Sequence, residues 1–290
     1  MARKKRRDAV RIQKSDGYHA ILPYIMPKRT EAEVSMTEIF DVTDLMAYLK
    51  ERNAADGGNR KLFHAVCTAV ARMIYHRPLM NTFIAGRKFW QRNDITLSFV
   101  VKQTFRDEAE ETLMFMKVTP DMTLDSVSHL ILGDVETARK QGTNDLEGLM
   151  TFVGNLPRPI LEILFAVLHR LEYHGIMPAA LTNGDPNYST VLLSNLGSIG
   201  CGAPYHHLSN YGTCSMMITI GTLHPEKVTM ADGTEQTRIR CPATITLDER
   251  IADGFYFAKS LRLAKYMLEH PAVLEEPVEQ ELPPAAYERQ

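Results

Sequence analysis

The sequence predicts an α/β fold, and three observations carry that prediction. Residues 243–248 set Ile245 and Leu247 against Thr244 and Thr246, the period of a half-buried strand. A charged corner then leads into a helical pattern of Phe257, Leu261, Ala264 and Leu268 that Pro271 ends. Residues 61–76 are apolar round most of a helical circumference through Phe63, Val66, Ala69, Val70 and Ile74, which places them in a core. Strand-like and helix-like stretches follow one another along 290 residues of 44% hydrophobic content, enough to bury a full core.

Taken in order, residues 1–16 hold seven Lys or Arg against Asp8 and Asp16. They are expected to be a mobile, solvated arm, with a nucleic-acid or phosphate-binding arm as the alternative. Val34 to Val42 reads as a strand, and Thr43 opens a helix carrying Leu45, Met46 and Leu49 that Asp56-Gly57-Gly58 ends. After the core helix and Pro78, residues 83–90 predict two short strands about a glycine turn. Further strands are expected over Ile95–Phe105 and Leu113–Val118. Pro120 starts a helix to about Lys140, and 142–148 is a polar break.

Pro157 to His174 is amphipathic, with Leu161, Leu164, Phe165 and Leu168 on one side. Glu162 and Glu172 offset Arg158 and Arg170, which favours core packing over a membrane surface. An apolar strand from Thr190 ends in Ser194-Asn195-Leu196-Gly197, strand Met216–Ile220 follows, and Asp232-Gly233 predicts a hairpin. From residue 273 the tail is acidic and Pro-rich and is expected to be loosely attached. The chain thus divides into an arm (1–16), one domain (17–272) and a tail (273–290).

A net charge of −2 gives no global pull toward nucleic acid or acidic membranes. Cys67, Cys201, Cys214 and Cys241 show no zinc spacing and are expected to be buried, reduced thiols. The basic start runs into polar residues, unlike a signal peptide, and the apolar run Ile160–Leu168 is too short to span a bilayer, so a cytoplasmic protein is expected.

The corner Asp248-Glu249-Arg250-Ile251-Ala252-Asp253-Gly254 resembles the Asp-His-Arg-x-x-Asp-Gly signature of the dihydrolipoamide acyltransferase catalytic domains of 2-oxo acid dehydrogenase complexes. Chloramphenicol acetyltransferases share its His-x-x-x-Asp-Gly part. Arg77-Pro78-Leu79-Met80-Asn81 is similar to the His-Pro-x-x-Asn stretch of those domains, and Ser194-Asn195-Leu196-Gly197 to their Ser-Asn-Leu-Gly, so the likeness spans roughly residues 30–270.

The resemblance implies a chloramphenicol acetyltransferase-like two-layer sandwich, a mixed sheet with flanking helices, assembled as a homotrimer. It implies acyl transfer from coenzyme A or acyl-lipoamide to a small acceptor, with Ser194 stabilising the oxyanion, Asp253 organising the site through an arginine such as Arg29, and Asn195, Gly197, Arg250 and Gly254 lining the substrate path. No metal, lipoyl attachment site, nucleic acid or membrane enters that picture.

Glu249 stands where the family has its general-base histidine. An ordinary glutamate titrates near 4.3 and a thiol near 8.5, so proton transfer is uphill by about 4 units, against about 2 for histidine. Three readings of the position follow: an altered base raised by burial, an ion-pair cluster with Arg250 and Asp253, or a base relocated to His206 or His207. A non-catalytic homologue that keeps the trimeric fold for binding or assembly is the alternative function.

Overall fold

The computed structural model describes residues 6–13, 17–102, 111–141, 148, 151, 153–230 and 232–288. Phe105 and residues 142–147 of the expected polar break lie outside them.

The strands are β1 (Ala9–Ile12), β2 (Glu33–Asp41), β3 (Thr82–Ala85), β4 (Lys88–Arg92), β5 (Ile95–Lys102), β6 (Glu111–Val118), β7 (Val191–Asn195), β8 (Met216–Ile220), β9 (His224–Thr229) and β10 (Glu235–Asp248). The α-helices are α1 (Gly17–Ile25), α2 (Thr43–Asp56), α3 (Leu62–His76), α4 (Leu124–Gln141), α5 (Arg158–His174) and α6 (Gly254–Glu269). The mixed α/β architecture expected from the sequence is present.

Seven strands form one sheet in the order β2-β10-β8-β7-β5-β6, with β9 on the first half of β10. β7 runs parallel to both β5 and β8, and the other neighbours are antiparallel. Ile245 and Leu247 of β10, Ile218 and Ile220 of β8 and Val191 and Leu193 of β7 turn one face onto α3, α6, α2 and α4, forming the main core.

The opposite face carries hydroxyls in place of methyls. Ser35 and Thr246 hydrogen-bond each other (2.9 Å), while Thr244 and Thr246 donate to the carbonyls of Pro204 and His206 (2.6 Å each). The loop 204–208 is thereby pinned over β10, and the polar half of the alternation seen in the sequence is satisfied.

Residues 6–13 differ from the expected mobile arm. β1 pairs with β4 in a three-stranded sheet β1-β4-β3. Arg6 is buried, pairing with Asp8 (2.7 Å) and Glu172 (2.6 Å), and its guanidinium lies 4.6 Å from the Phe83 ring centre. Between β3 and β4, Gly86 and Arg87 both take φ 58°. A Cβ on Gly86 would meet the Tyr173 carbonyl at 2.1 Å, so that tip admits only glycine.

The tail also departs from expectation. Leu274, Val278, Leu282 and Ala286 are buried, the Val278 amide donates to Met122 O (2.8 Å), and buried Arg72 donates to the carbonyls of Val273 and Gln280. Conversely, α5 is not a core helix within this chain. Ile160, Ile163, Phe165 and Val167 are exposed, and Glu172 alone is buried.

Candidate active site

The sheet delivers the corner at the end of β10. The Asp248 amide still donates to Ser215 O (3.0 Å), the Glu249 amide turns to Ala32 O (2.8 Å), and Ile251 N closes a turn on Asp248 O (3.2 Å). Asp248 is fully buried and takes two 2.7 Å bonds from the Arg250 guanidinium, which also donates to Met26 O (2.7 Å).

Arg29 approaches Asp248 at 3.8 Å and donates to Ser209 O (2.5 Å) and Gly212 O (3.1 Å). Burial lowers its pKa against the pull of Asp248. The buried ion cluster at this corner therefore belongs to Asp248, Arg250 and Arg29. Arg29 is not the partner of Asp253, and Arg250, expected along the substrate path, spends its donors inside the chain.

Asp253 instead caps α6, accepting from the Tyr256 amide at 2.7 Å. Gly254 follows as the first helical residue, exposed, with nothing within 4 Å of where its Cβ would be.

Glu249 is half-buried, and its carboxylate makes no ion pair or side-chain hydrogen bond among the described residues. It lines a cleft of about 650 Å³ between α1, β2 and α6. The walls are apolar, with Leu22, Met26, Met36, Phe40, Phe257 and Leu261, while His19, Glu38, Asp253, Arg262 and Lys265 supply polar groups. Such a slot suits a slender chain with a polar end.

Ser194 ends β7 on the hydroxyl-bearing face. It stands in register with Thr219, which stands in register with Thr244. Its hydroxyl makes no hydrogen bond among the described residues. Asn195 closes the strand, and its carbonyl accepts from Ser198 Oγ (2.8 Å). Gly197 lies where a Cβ would sit 2.3 Å from Gly221 O, so its glycine is needed for backbone packing.

The residues fall into two half-sites. Two strand spacings separate Ser194 from Thr244 and five residues separate Thr244 from Glu249, so the pair is roughly 20 Å apart on opposite faces of the sheet. Glu249, Asp253 and Gly254 share the cleft, whereas Ser194, Asn195 and Gly197 do not enter it. His206 and His207 stack on each other at 5.0 Å, exposed, over the Ser194 face.

Sequence reasoning missed His19, Glu38, Arg262 and Lys265. The spacing of His19, Leu22 and Met26, three then four residues, was the available signal for the first.

Among the described residues no group of three or more His, Cys, Asp or Glu is placed to hold a metal, and no helix is long and apolar enough to cross a membrane. All four cysteines are free. Cys67, Cys214 and Cys241 are buried, with burial raising the Cys241 thiol to about 11, but Cys201 is exposed, against expectation.

No protein-family model matches the chain, and no curated protein matches it. Solved structures do. A probable dihydrolipoamide acetyltransferase from Listeria monocytogenes aligns at TM-score 0.58 and 16% identity, covering 90% of this chain and 95% of that one. The cubic core of a pyruvate dehydrogenase multienzyme complex aligns at 0.60 and 14%, covering 91% and 93%. A chloramphenicol acetyltransferase aligns at 0.51 and 12%, covering 90% and 98%. The chain therefore has the chloramphenicol acetyltransferase-like fold of the dihydrolipoamide acyltransferase catalytic cores.

Proposed function

We propose that this protein is an acyltransferase that moves an acyl group from coenzyme A, or from acyl-lipoamide, to a small thiol or hydroxyl acceptor. The observation that carries the reading is the pair of half-sites. Among the described residues, Ser194 and Glu249 each present an unpaired polar group, on opposite faces, at positions that resemble the oxyanion donor and the base of acyltransferases with this fold.

Two copies of the chain, meeting so that the Ser194 face of one covers the Glu249 cleft of the next, would complete the site. Self-association is supported by the exposed apolar residues Ile160, Ile163, Phe165 and Val167 on α5 and by the cubic assembly of one structural neighbour. We take the assembly to be a homotrimer. The apolar cleft would receive the pantetheine arm, with Lys265 and Arg262 as cations for its phosphates. Four free thiols fit a reducing compartment such as the cytoplasm.

Ser194→Ala is expected to lower turnover of acetyl-coenzyme A by about 10²-fold or more with unchanged Tm, because it removes one preorganised donor from the developing oxyanion. Equal turnover by that variant overturns the reading. The carboxylate at position 249 favours one second reading, a non-catalytic homologue that binds or assembles. On that reading calorimetry finds coenzyme A binding or self-association without turnover in the wild-type protein, and Glu249→His creates activity by narrowing the proton-transfer gap.

A further inference from the structure

We propose that a second cavity, behind the wall of the Glu249 cleft, binds a small phosphate-bearing molecule; this goes beyond the acyl-transfer reading and stands without it. The cavity holds about 290 Å³ and lies where the turn after α1, the β3–β4 tip, the last turns of α5 and the loop 210–212 meet. It shares no lining residue with the cleft. Leu22 and Met26 line the cleft while Pro23 and Pro27 line the cavity, so α1 and its final turn are the partition. The neighbours Glu249 and Arg250 part to opposite sides of it.

The charges bordering the cavity are not balanced there. Lys28, Arg29, Arg87 and Arg250 line it against one carboxylate, Glu172. Glu172 already accepts from Arg6 at 2.6 Å, and both oxygens of Asp248 accept from Arg250 at 2.7 Å. Arg29, 5% exposed, gives its two terminal nitrogens to the carbonyls of Ser209 and Gly212. Its Nε, 3.8 Å from Asp248, finds no hydrogen-bond acceptor. A buried guanidinium compensated so thinly gains from an anion beside it. Lys28 has Glu31 at 3.8 Å, with both side chains in solvent.

Arg87 is placed at the cavity at some conformational cost. It takes φ 58°, a left-handed conformation that residues other than glycine rarely adopt, at a tip whose Gly86 lies against the Tyr173 carbonyl. Its guanidinium sits over the Tyr24 ring, 5.1 Å from the centre, and among the described residues its side chain makes no ion pair or hydrogen bond. Stacking on Tyr24 holds this charge between the tip and α1 and leaves its N–H donors free.

The floor is preformed. Asn210 Oδ1 accepts from the amides of Arg29 (2.9 Å) and Thr30 (3.2 Å), and its own amide donates to Thr30 Oγ1 (2.9 Å), which ties the loop to the turn that carries Lys28. A phosphate monoester, with about two negative charges at neutral pH, matches Arg87, Lys28 and the field of Arg29 better than one carboxylate does. Pro23, Pro27, Ile84 and Tyr173 offer apolar wall to a short carbon body. A volume near the lower bound of ligand pockets, roughly 300 Å³, suits a small ester.

The test is calorimetry on the intact protein with glycerol 3-phosphate, with inorganic phosphate, and with acetate as the carboxylate control, at constant ionic strength. Glycerol 3-phosphate is expected to bind most tightly, inorganic phosphate next, and acetate at least about tenfold more weakly than either. Arg87→Gln and Lys28→Gln, both at exposed positions, are expected to keep the wild-type Tm and each to weaken phosphate binding by about three- to tenfold. Equal binding by the two phosphates assigns the site to the free anion and overturns the ester. No binding of either at about 10 mM, or affinities unchanged in both variants, overturns the site itself. Loss of glycerol 3-phosphate binding in saturating coenzyme A would join the cavity to the acyl-donor path and overturns its standing as a separate site.

Discussion

Two glycines of the acyltransferase-like motifs do different work, and the difference is visible one atom at a time. At Gly197 an added Cβ would lie 2.3 Å from Gly221 O, with the backbone of both segments fixed by β7 and β8. Gly197→Ala is expected to destabilise the protein by about 1–3 kcal/mol, read as a lower urea midpoint at unchanged slope. At Gly254 nothing lies within 4 Å, so Gly254→Ala is expected to leave the unfolding free energy of the isolated chain, read by urea denaturation, within about 0.5 kcal/mol of wild type. A loss of turnover in that variant would then report on what enters the cleft from outside.

Sequence alone gave both glycines one label, because a motif match records identity and not surroundings. Glu249 was legible as the odd position of the corner, but its isolation was not. Asp248, two residues from Arg250, takes the ion pair that charge counting would have shared among Glu249 and Asp253.

At the level of elements, the corner between β10 and α6 is held by a buried charge cluster and not by apolar packing alone. Asp248 and Arg250 are both essentially inaccessible, and among the described residues only Arg29, at 3.8 Å, stands in reserve. Arg250→Met is expected to destabilise by about 3–5 kcal/mol, since it strands a buried carboxylate. Denaturant unfolding checks this, and a loss below 1 kcal/mol would mean that Asp248 finds another partner.

Elements whose apolar period matches their burial were readable: α3, the apolar half of β10, β7 and β8 sit where alternation or helical spacing put them. β1 was hidden because three of its four residues are not fully buried and its neighbours are charged. The tail was hidden by its prolines and acids, although Leu274, Val278, Leu282 and Ala286 recur every fourth residue and all are buried. α5 misled in the opposite sense. Leu161, Leu164 and Leu168 of its stripe are only half-buried, and among the described residues nothing covers Ile160, Ile163 and Val167.

For the molecule as a whole, acid stability should be limited by the core helix. His64, in the first turn of α3, is 2% exposed, and burial, with Lys61 nearby, lowers its pKa to about 4. Unfolded, it would titrate near 6.5, so between about pH 6.5 and 4 the unfolded chain binds a proton that the folded chain refuses. Stability therefore falls as pH drops through that window, by up to about 3 kcal/mol, and is fully present above it. Urea midpoints of wild type and His64→Gln at pH 7.5 and 4.5 check this, with a smaller pH dependence expected in the variant.

The placement of Trp90 has a practical consequence on the same scale. It is the only tryptophan of the chain, it lies on β4 opposite Arg11 of β1, and its indole donates to Ala85 O at 3.0 Å with the Arg6 guanidinium 5.8 Å from the ring. Tryptophan emission, excited at wavelengths tyrosine does not absorb, thus comes from one address, the small sheet that holds β1, and the large sheet with both half-sites carries no tryptophan. Spectroscopy of the unlabelled protein can follow the undocking of the first strand separately from the unfolding of the core.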